Sequence, residues 1–180
     1  IYADVVHIET GATLISRELI GSNEIGVDTN STSNATCMYK FGQPQCFTGG
    51  TGGGKIHIIF QRYDDSANKH ELRYRTLACA SVTEVLTTGF EGSSTNGFAI
   101  NDSSGSAIRL NDNYPVFELD PCTSRIYSES AACAYIGHGG DLSVIYLYRS
   151  GSAIVGSSQK ATISTGAQFG SYNARASITK

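Results

Sequence analysis

The clearest chemical motif in the chain is a glycine-rich run that ends in a lysine. Gly49 to Lys55 reads GGTGGGK, which matches the G-x4-G-K part of a phosphate-binding loop. Such a loop also needs a Ser or Thr after the lysine, to bind Mg²⁺, and a helix whose N-terminus faces the phosphates. Here Ile56 follows and opens IHIIF, a sequence typical of a strand. We therefore predict a glycine loop and no nucleotide site.

Histidine and carboxylate side chains are the next candidates for catalysis. His138 lies in a glycine-rich loop with Asp141 three residues later, and Asp65 lies in a polar turn. A Ser–His–Asp hydrolase also needs a nucleophile on a strained turn, such as G-x-S-x-G, and the sequence contains no such motif. A secreted hydrolase is therefore the last of three functional hypotheses. His7 and His57 fall in predicted strands, where we expect them at a sheet surface.

Metal binding has one candidate, a calcium site. Calcium prefers about six to eight oxygen ligands from loops, and Asp112 with its neighbours Asn111 and Asn113 offers such oxygens. Asn-Asp-Asn is equally typical of a turn, so the prediction is no cofactor, with calcium as the alternative. A zinc site is disfavoured because the sequence has no C-x-x-C and no His at ligand spacing from a cysteine pair.

The five cysteines indicate disulfides and an oxidising compartment. Cys37 and Cys46 bracket one short turn-like segment, and Cys122 and Cys133 bracket another. We predict that each pair closes a hairpin-like loop, while the sequence alone leaves other pairings open. Cys79 is then left over, either as a small buried hydrophobic residue or as a free or intermolecular thiol.

Three N-x-[ST] sequons favour the same compartment. They begin at Asn30, Asn34 and Asn101, and the first two lie in one loop rich in Ser, Thr and Asn. The chain begins at Ile1 with no basic and apolar leader, as expected for a processed chain or for a fragment. We therefore predict a glycoprotein that is secreted or exposed at the cell surface.

The composition argues against several classes of partner. The net charge is −3 and no basic run occurs, so the chain lacks the electrostatic signature of binding to nucleic acid or anionic lipid. No apolar stretch approaches the roughly 18 residues of a membrane span. With 40% hydrophobic and 16% charged residues, the chain is too apolar and too weakly charged to be disordered.

Two patterns predict the elements that must position these side chains: alternation of apolar residues with period 2, and turn residues between the alternating runs. The ranges 55–63 and 71–80 alternate on either side of a polar turn, which predicts a β-hairpin. The competing interpretation is a helix over 68–86. The range 142–149 is the most strand-like, and Ser150-Gly151 predicts a tight turn into a strand at 153–155. Further strands are predicted at 96–100, 107–110, 115–119, 161–164 and 169–179.

Strand candidates that recur at short intervals with Gly, Asn or Ser between them are typical of a sandwich or barrel. We therefore predict an all-β fold in which residues 1–180 form a single antiparallel β-sandwich, jelly-roll or immunoglobulin-like, with loops stapled by disulfides.

Three functional hypotheses follow from these features. The first is a non-catalytic structural subunit of an extracellular homopolymer, such as a pilus, filament or sheath. In it, residues 1–10 form a strand that pairs within its own sheet or adds to an open edge of the next subunit. The second is a lectin-like or adhesin module that binds glycans through some of the 10 tyrosines, and the third is the hydrolase. The subunit contacts of the first hypothesis would be the apolar residues Ile1, Tyr2, Val5, Val6 and Ile8.

Overall fold

The structure of the chain is a computed structural model that describes residues 2–19, 45–49, 54–64, 69–93, 97–109, 122–127, 130–136 and 142–164. Strands dominate these ranges, and one short helix occurs in them. The elements in chain order are β1 (Tyr2–Val6), β2 (Thr13–Leu19), β3 (Gln45–Gly49), β4 (Lys55–Asp64), β5 (Lys69–Ala78), α1 (Val82–Thr87), β6 (Phe98–Ala99), β7 (Cys122–Tyr127), β8 (Ser130–Ile136), β9 (Leu142–Ser150) and β10 (Ala153–Ser164).

The strands form three antiparallel sheets, which confirms the all-β prediction. One sheet holds β1 and β2, and the two four-stranded sheets have the orders β3-β4-β5-β6 and β10-β9-β8-β7. Hydrogen-bonded neighbours are therefore also neighbours in sequence, as in a β-meander. A Greek key would return its fourth strand beside the first. The described strands thus do not show the jelly-roll or immunoglobulin-like order that we expected.

The hairpin predicted from alternation is formed by β4 and β5. Its register runs from Lys55 opposite Ala78 to Asp64 opposite Lys69 without a bulge. The turn between β9 and β10 is also as predicted. Ser150 pairs with Ala153 across a two-residue loop, and Gly151 has the positive φ of 62° that the first position of a type II′ turn needs.

The other predicted strands have mixed outcomes. The strand at 161–164 is the end of β10, and the one at 96–100 is shortened to β6. The range 107–110 contributes isolated bridges only, within its described residues. The strands predicted at 115–119 and 169–179 lie outside the described residues.

The helix α1 overlaps only the end of the range 68–86, for which a helix was the competing interpretation; β5 occupies residues 69–78 of that range. Ser81 precedes it in an extended conformation, and its Oγ accepts a hydrogen bond of 3.1 Å from the N–H of Glu84. The Glu84 carboxylate accepts a bond of 2.7 Å from the N–H of Ala80. This arrangement is a variant of the capping box, and it satisfies two N–H groups at the start of the helix.

The main hydrophobic core lies between the two four-stranded sheets. Both sheets contribute fully or nearly fully buried side chains to one cluster, which two residues of the segment after β6 complete. That segment also joins the sheets through the main chain, because the N–H of Ile100 donates to Leu72 at 2.9 Å and the N–H of Gly156 donates to Asn101 at 2.8 Å. The cluster consists of Ile59, Leu72, Tyr74, Ile100, Ile108, Ala131, Cys133, Ile145, Leu147 and Ile154.

A second cluster covers the opposite face of the β3–β6 sheet. Buried Leu77 and Phe90 are its centre, and the partly buried Ala3, Val5 and Ile15 of the β1–β2 hairpin pack against them. In the region of this cluster the sheet is therefore buried on both faces. The hairpin covers this face of the sheet there.

Candidate functional site

The predicted contact residues lie on the β1–β2 hairpin and its turn, apart from Ile1, which is outside the described residues. Tyr2 is 62% exposed, Val6 52% and Ile8 95%. Val5 instead points into the second cluster and is partly buried. The outer side of the hairpin thus carries three large apolar side chains in solvent, while Val5 attaches the hairpin to the rest of the chain.

The N-terminal strand pairs within the chain, which is one of the two arrangements expected for it. Tyr2 lies opposite Leu19 and Val6 opposite Thr13, with irregular register between them. The N–H of Arg17 donates to Asp4 Oδ1 at 2.8 Å, and the Arg17 guanidinium lies 5.7 Å from the centre of the Tyr2 ring. Within the described part of the chain, neither strand pairs with a second strand, so no described strand occupies the outer main-chain edge of either.

A second candidate is a cavity of about 280 Å³. It lies next to β6 and the β9–β10 turn. Its lining combines aromatic, hydroxyl and carboxylate side chains from four separate segments. These residues are Tyr74, Thr76, Glu91, Gly92, Phe98, Ser152 and Ala153.

Two aromatic rings form one wall of this cavity. The centres of the Tyr74 and Phe98 rings are 5.7 Å apart with their planes tilted by 39°, and Phe98 is 36% exposed. Burial is the main cause that raises the pKa of the Tyr74 hydroxyl, and the nearby Glu91 carboxylate raises this pKa further. A hydrogen bond with the Ile154 backbone and the charge of Arg149 lower it in part. The phenol therefore stays neutral near pH 7, because burial moves its pKa further above that pH.

An ion pair and a hydrogen-bonded hydroxyl provide the polar part of the cavity. Lys55 Nζ pairs with Glu91 Oε1, with side chains 21% and 26% exposed. The N–H of Glu91 donates to the Thr76 carbonyl at 2.8 Å, which fixes the residue beside β5. Thr76 Oγ1 lies 2.9 Å from Nδ1 of His57. The cavity thus presents a carboxylate whose charge is already compensated.

The histidines do not lie where the sequence analysis expected them. His57 is 1% exposed and lies on the face of β4 that turns towards the core, so the expectation of a sheet-surface position was wrong. His7 follows β1 in a turn, with its Nδ1 3.0 Å from Thr10 Oγ1. The remaining candidates for catalysis or calcium binding lie outside the described residues: His138, Asp141, Asp65, Asn111, Asp112 and Asn113.

The glycine run has the surroundings of a hairpin. Gly49 ends β3 and pairs with Lys55, which starts β4. A strand therefore follows the lysine, as IHIIF predicted, where a phosphate-binding loop requires a helix. Lys55 itself is committed to the ion pair with Glu91.

No disulfide joins the cysteines whose side chains the structure describes. Cys46 is an exposed free thiol and Cys79 a half-buried one. Burial raises the pKa of the Cys79 thiol, and the Glu84 carboxylate raises it further, so its reactive thiolate form is scarce near pH 7. The structure shows Cys46 as a thiol and so does not support the predicted disulfide with Cys37, which lies outside the described residues.

The second predicted pair does not fit the register of β7 and β8. Cys133 lies opposite Thr123, whereas Cys122 lies opposite Ala134. Because successive residues of a strand alternate between the two faces of a sheet, positions 122 and 133 belong to opposite faces. A disulfide needs Cβ atoms about 4 Å apart, which positions on opposite faces do not provide.

The third sequon begins a turn with several internal hydrogen bonds. Asn101 is partly buried, and its carbonyl accepts the hydrogen bond from Gly156. Asp102 Oδ1 accepts bonds from Ser104 Oγ at 2.6 Å and from the N–H groups of Ser104 and Ser106 at 2.8 and 3.1 Å. The hydrogen bond from Ser104 Oγ lowers the pKa of Asp102, and the two N–H groups lower it further, while slight burial raises it in part. This carboxylate thus organises its own turn. Asn30 and Asn34 lie outside the described residues.

Metal ligation and membrane insertion find no support in the described ranges. Within them, no three His, Cys, Asp or Glu side chains form a group that could hold a metal ion, and no helix has the length and apolarity to cross a membrane. Comparison with protein families, curated proteins and solved structures finds no match to the chain. The functional argument therefore rests on the hairpin and the cavity.

Proposed function

We propose that the chain is a non-catalytic structural subunit of an extracellular assembly, in which the β1–β2 hairpin binds a second copy of the chain. The observation that carries this proposal is the hairpin itself. It combines open main-chain edges with the exposed apolar side chains of Tyr2, Val6 and Ile8.

An open edge favours pairing with another strand, because its N–H and C=O groups find partners there. Single exposed apolar residues are ordinary on protein surfaces. Three of them beside open edges offer apolar burial and main-chain hydrogen bonds at the same place. Burial of apolar surface stabilises a contact by roughly 25 cal/mol per Å² before the entropic cost of association is subtracted.

The two edges of the hairpin differ, and the proposed polymer requires that unlike edges pair. Contact between identical edges would give a closed, two-fold dimer, whereas contact of the β1 edge with the β2 edge of the next copy repeats head to tail. Only 16% of the residues are charged, and the net charge is −3. Identical copies therefore repel each other weakly, which supports their close packing.

The proposal includes a compartment and a finer fold. The sequons at Asn30, Asn34 and Asn101 support a secreted or cell-surface location. A single sandwich formed by the two four-stranded sheets is supported by the core cluster that they share.

The test is the mass of the particle in solution as a function of concentration, by sedimentation velocity or light scattering. We expect the wild-type chain to associate, and we expect Val6→Lys and Ile8→Lys to remain monomeric because a charge is costly to bury at a paired edge. Deleting residues 1–10 is a less clean test, because it also removes Val5 from the second cluster.

The matched control is Leu86→Lys. Leu86 is 61% exposed on α1, which packs beside β2 but forms no part of either hairpin strand. Its substitution therefore adds a charge near the hairpin and should leave association unchanged. A wild-type chain that stays monomeric at millimolar concentration, or equal loss of association in Leu86→Lys, would contradict the proposal.

A further inference from the structure

We propose that the cavity beside β6 binds a single sugar ring. This site is separate from the hairpin and does not depend on assembly. It would give the subunit a glycan-binding activity in addition to its structural function.

The aromatic wall fits the apolar faces of a sugar ring. Aromatic side chains provide large, rigid contact area, and the hydroxyl of tyrosine adds a polar group at its edge. Phe98 has enough exposed surface to receive a ligand, and Tyr74 fixes it from behind at a ring distance of 5.7 Å. Gly92 brings only backbone to the space beside Phe98, because a Cβ there would lie 2.5 Å from Phe98 Cζ.

The polar groups fit hydroxyl ligands better than charged or fully apolar ones. Glu91 offers carboxylate oxygens that accept hydrogen bonds from neighbouring hydroxyls, and Lys55 already neutralises its charge. A cationic ligand would therefore compete with Lys55, and an anionic ligand would meet Glu91. A fully apolar ligand would leave the ion pair desolvated without new partners.

The size and position of the cavity limit the ligand to one ring. Its volume of about 280 Å³ lies at the lower end of the range for small-molecule pockets, which begins at roughly 300 Å³. Ser152, in the β9–β10 turn, is exposed at the rim. Further sugars of a longer glycan would extend past Ser152 into solvent.

The experiment is an NMR titration of the ¹⁵N-labelled chain with glucose, galactose, mannose and N-acetylglucosamine, each to high millimolar concentration. We expect saturable shifts for at least one sugar, centred on Glu91, Gly92, Phe98, Ser152 and Ala153. Phe98→Ala should weaken binding about tenfold, the size of effect expected for the loss of one aromatic contact.

Two further variants test whether the sugar binds in the cavity itself. Ser152→Leu narrows the rim without removing a buried atom, and it should abolish binding with the fold intact by circular dichroism. Tyr148→Ala is the matched aromatic control, because Tyr148 is 37% exposed and stacks on Tyr146 at 5.9 Å, outside the cavity lining. The Tyr148→Ala variant should bind the sugar as tightly as the wild type does.

Two results would overturn the proposal. One is the absence of saturable shifts with all four sugars. The other is loss of binding in Tyr148→Ala while Phe98→Ala binds normally, because this would place a sugar on the tyrosine pair of β9. Both results are independent of the state of association, which is measured on the hairpin variants.

Discussion

Both the backbone conformation and the packing at Gly97, next to the cavity, exclude a larger residue. The residue has a φ of 67°, and a Cβ on it would lie 2.5 Å from Phe60 Cζ and 3.1 Å from the Tyr74 carbonyl oxygen. Gly97 therefore needs both the left-handed conformation and the absence of a side chain. It lets the chain pass close enough to β5 for Phe98 to pair with Tyr74.

We predict that Gly97→Ala destabilises the fold much more than Gly11→Ala. Gly11 has nearly the same φ, 69°, with no atom within 4 Å of its Cβ position, so its substitution tests the backbone strain alone. That strain costs about 1–2 kcal/mol, and the steric overlap at Gly97 adds about 1–3 kcal/mol. Urea denaturation measures both values. Equal losses at the two positions would show that the packing around Gly97 is looser than these distances imply.

Two charged side chains of β5, Glu71 and Arg75, are buried, which the alternation in the sequence does not predict. The side chains of Glu71 and Arg73 pair at 2.7 Å, and Arg75 is 2% exposed, between the rings of Phe90 and Phe98 at 5.7 and 5.9 Å. Burial lowers the pKa of Arg75, and Glu18 opposes the shift. Alternation predicted the two faces of this strand correctly. It could not predict that the charged face is also covered, because the covering groups come from distant segments.

At the scale of elements, the register of β7 and β8 decides the chemistry of the cysteines. A slip by one residue would turn every side chain of β8 to the other face of the sheet. Ala131 and Cys133, both 0% exposed, would then leave the core. The burial of these two residues therefore stabilises a register in which Cys122 and Cys133 are not opposite each other.

We predict that Cys133 remains a thiol that reacts only after unfolding. Alkylation of the native chain, followed by peptide mapping under non-reducing conditions, should label the exposed Cys46 and leave Cys133 unlabelled. Denaturation should make Cys133 reactive. A disulfide-linked peptide that contains Cys122 and Cys133 would contradict the register and restore the pairing expected from their spacing.

The strands β2, β3, β7 and β8 were not predicted from the sequence, and a helix was only the competing interpretation over 68–86. The signature Ser81-x-x-Glu84 of α1 is readable as a capping box, but the alternation that ends just before it favoured a strand over 71–80 against the competing helix. The strand β2 lacks clean alternation. Its register shifts against β1, and Arg17 has a φ of 51°, which interrupts the period of 2 that identifies strands.

At the scale of the whole molecule, local sequence patterns predict the strands better than the site. The hairpins β4–β5 and β9–β10 follow from alternation and turn residues that are close in sequence. The cavity, in contrast, is lined from four separate segments, and no spacing relates Tyr74 to Glu91, Phe98 or Ser152. Only the packing of two sheets brings these residues together.

The N-terminal hairpin is the part of the molecule on which the proposed assembly depends. The sequence indicated residues 1–10 as an extended apolar segment, and the structure adds β2 as its partner and the second cluster as its support. This arrangement anchors the hairpin, and among the described residues no further strand pairs with its edges. A subunit built in this way has a defined contact surface before it meets a second copy.

The most direct test of the central claim is hydrogen–deuterium exchange of the β1 and β2 amides at increasing protein concentration. If the hairpin edges pair with a second copy, protection of residues 2–6 and 13–19 should rise with concentration, while β9, in the other four-stranded sheet, keeps its exchange rate. Val6→Lys should remove this dependence. Exchange in β1 and β2 that is independent of concentration, under conditions where the chain does associate, would contradict the claim that the hairpin is the contact surface.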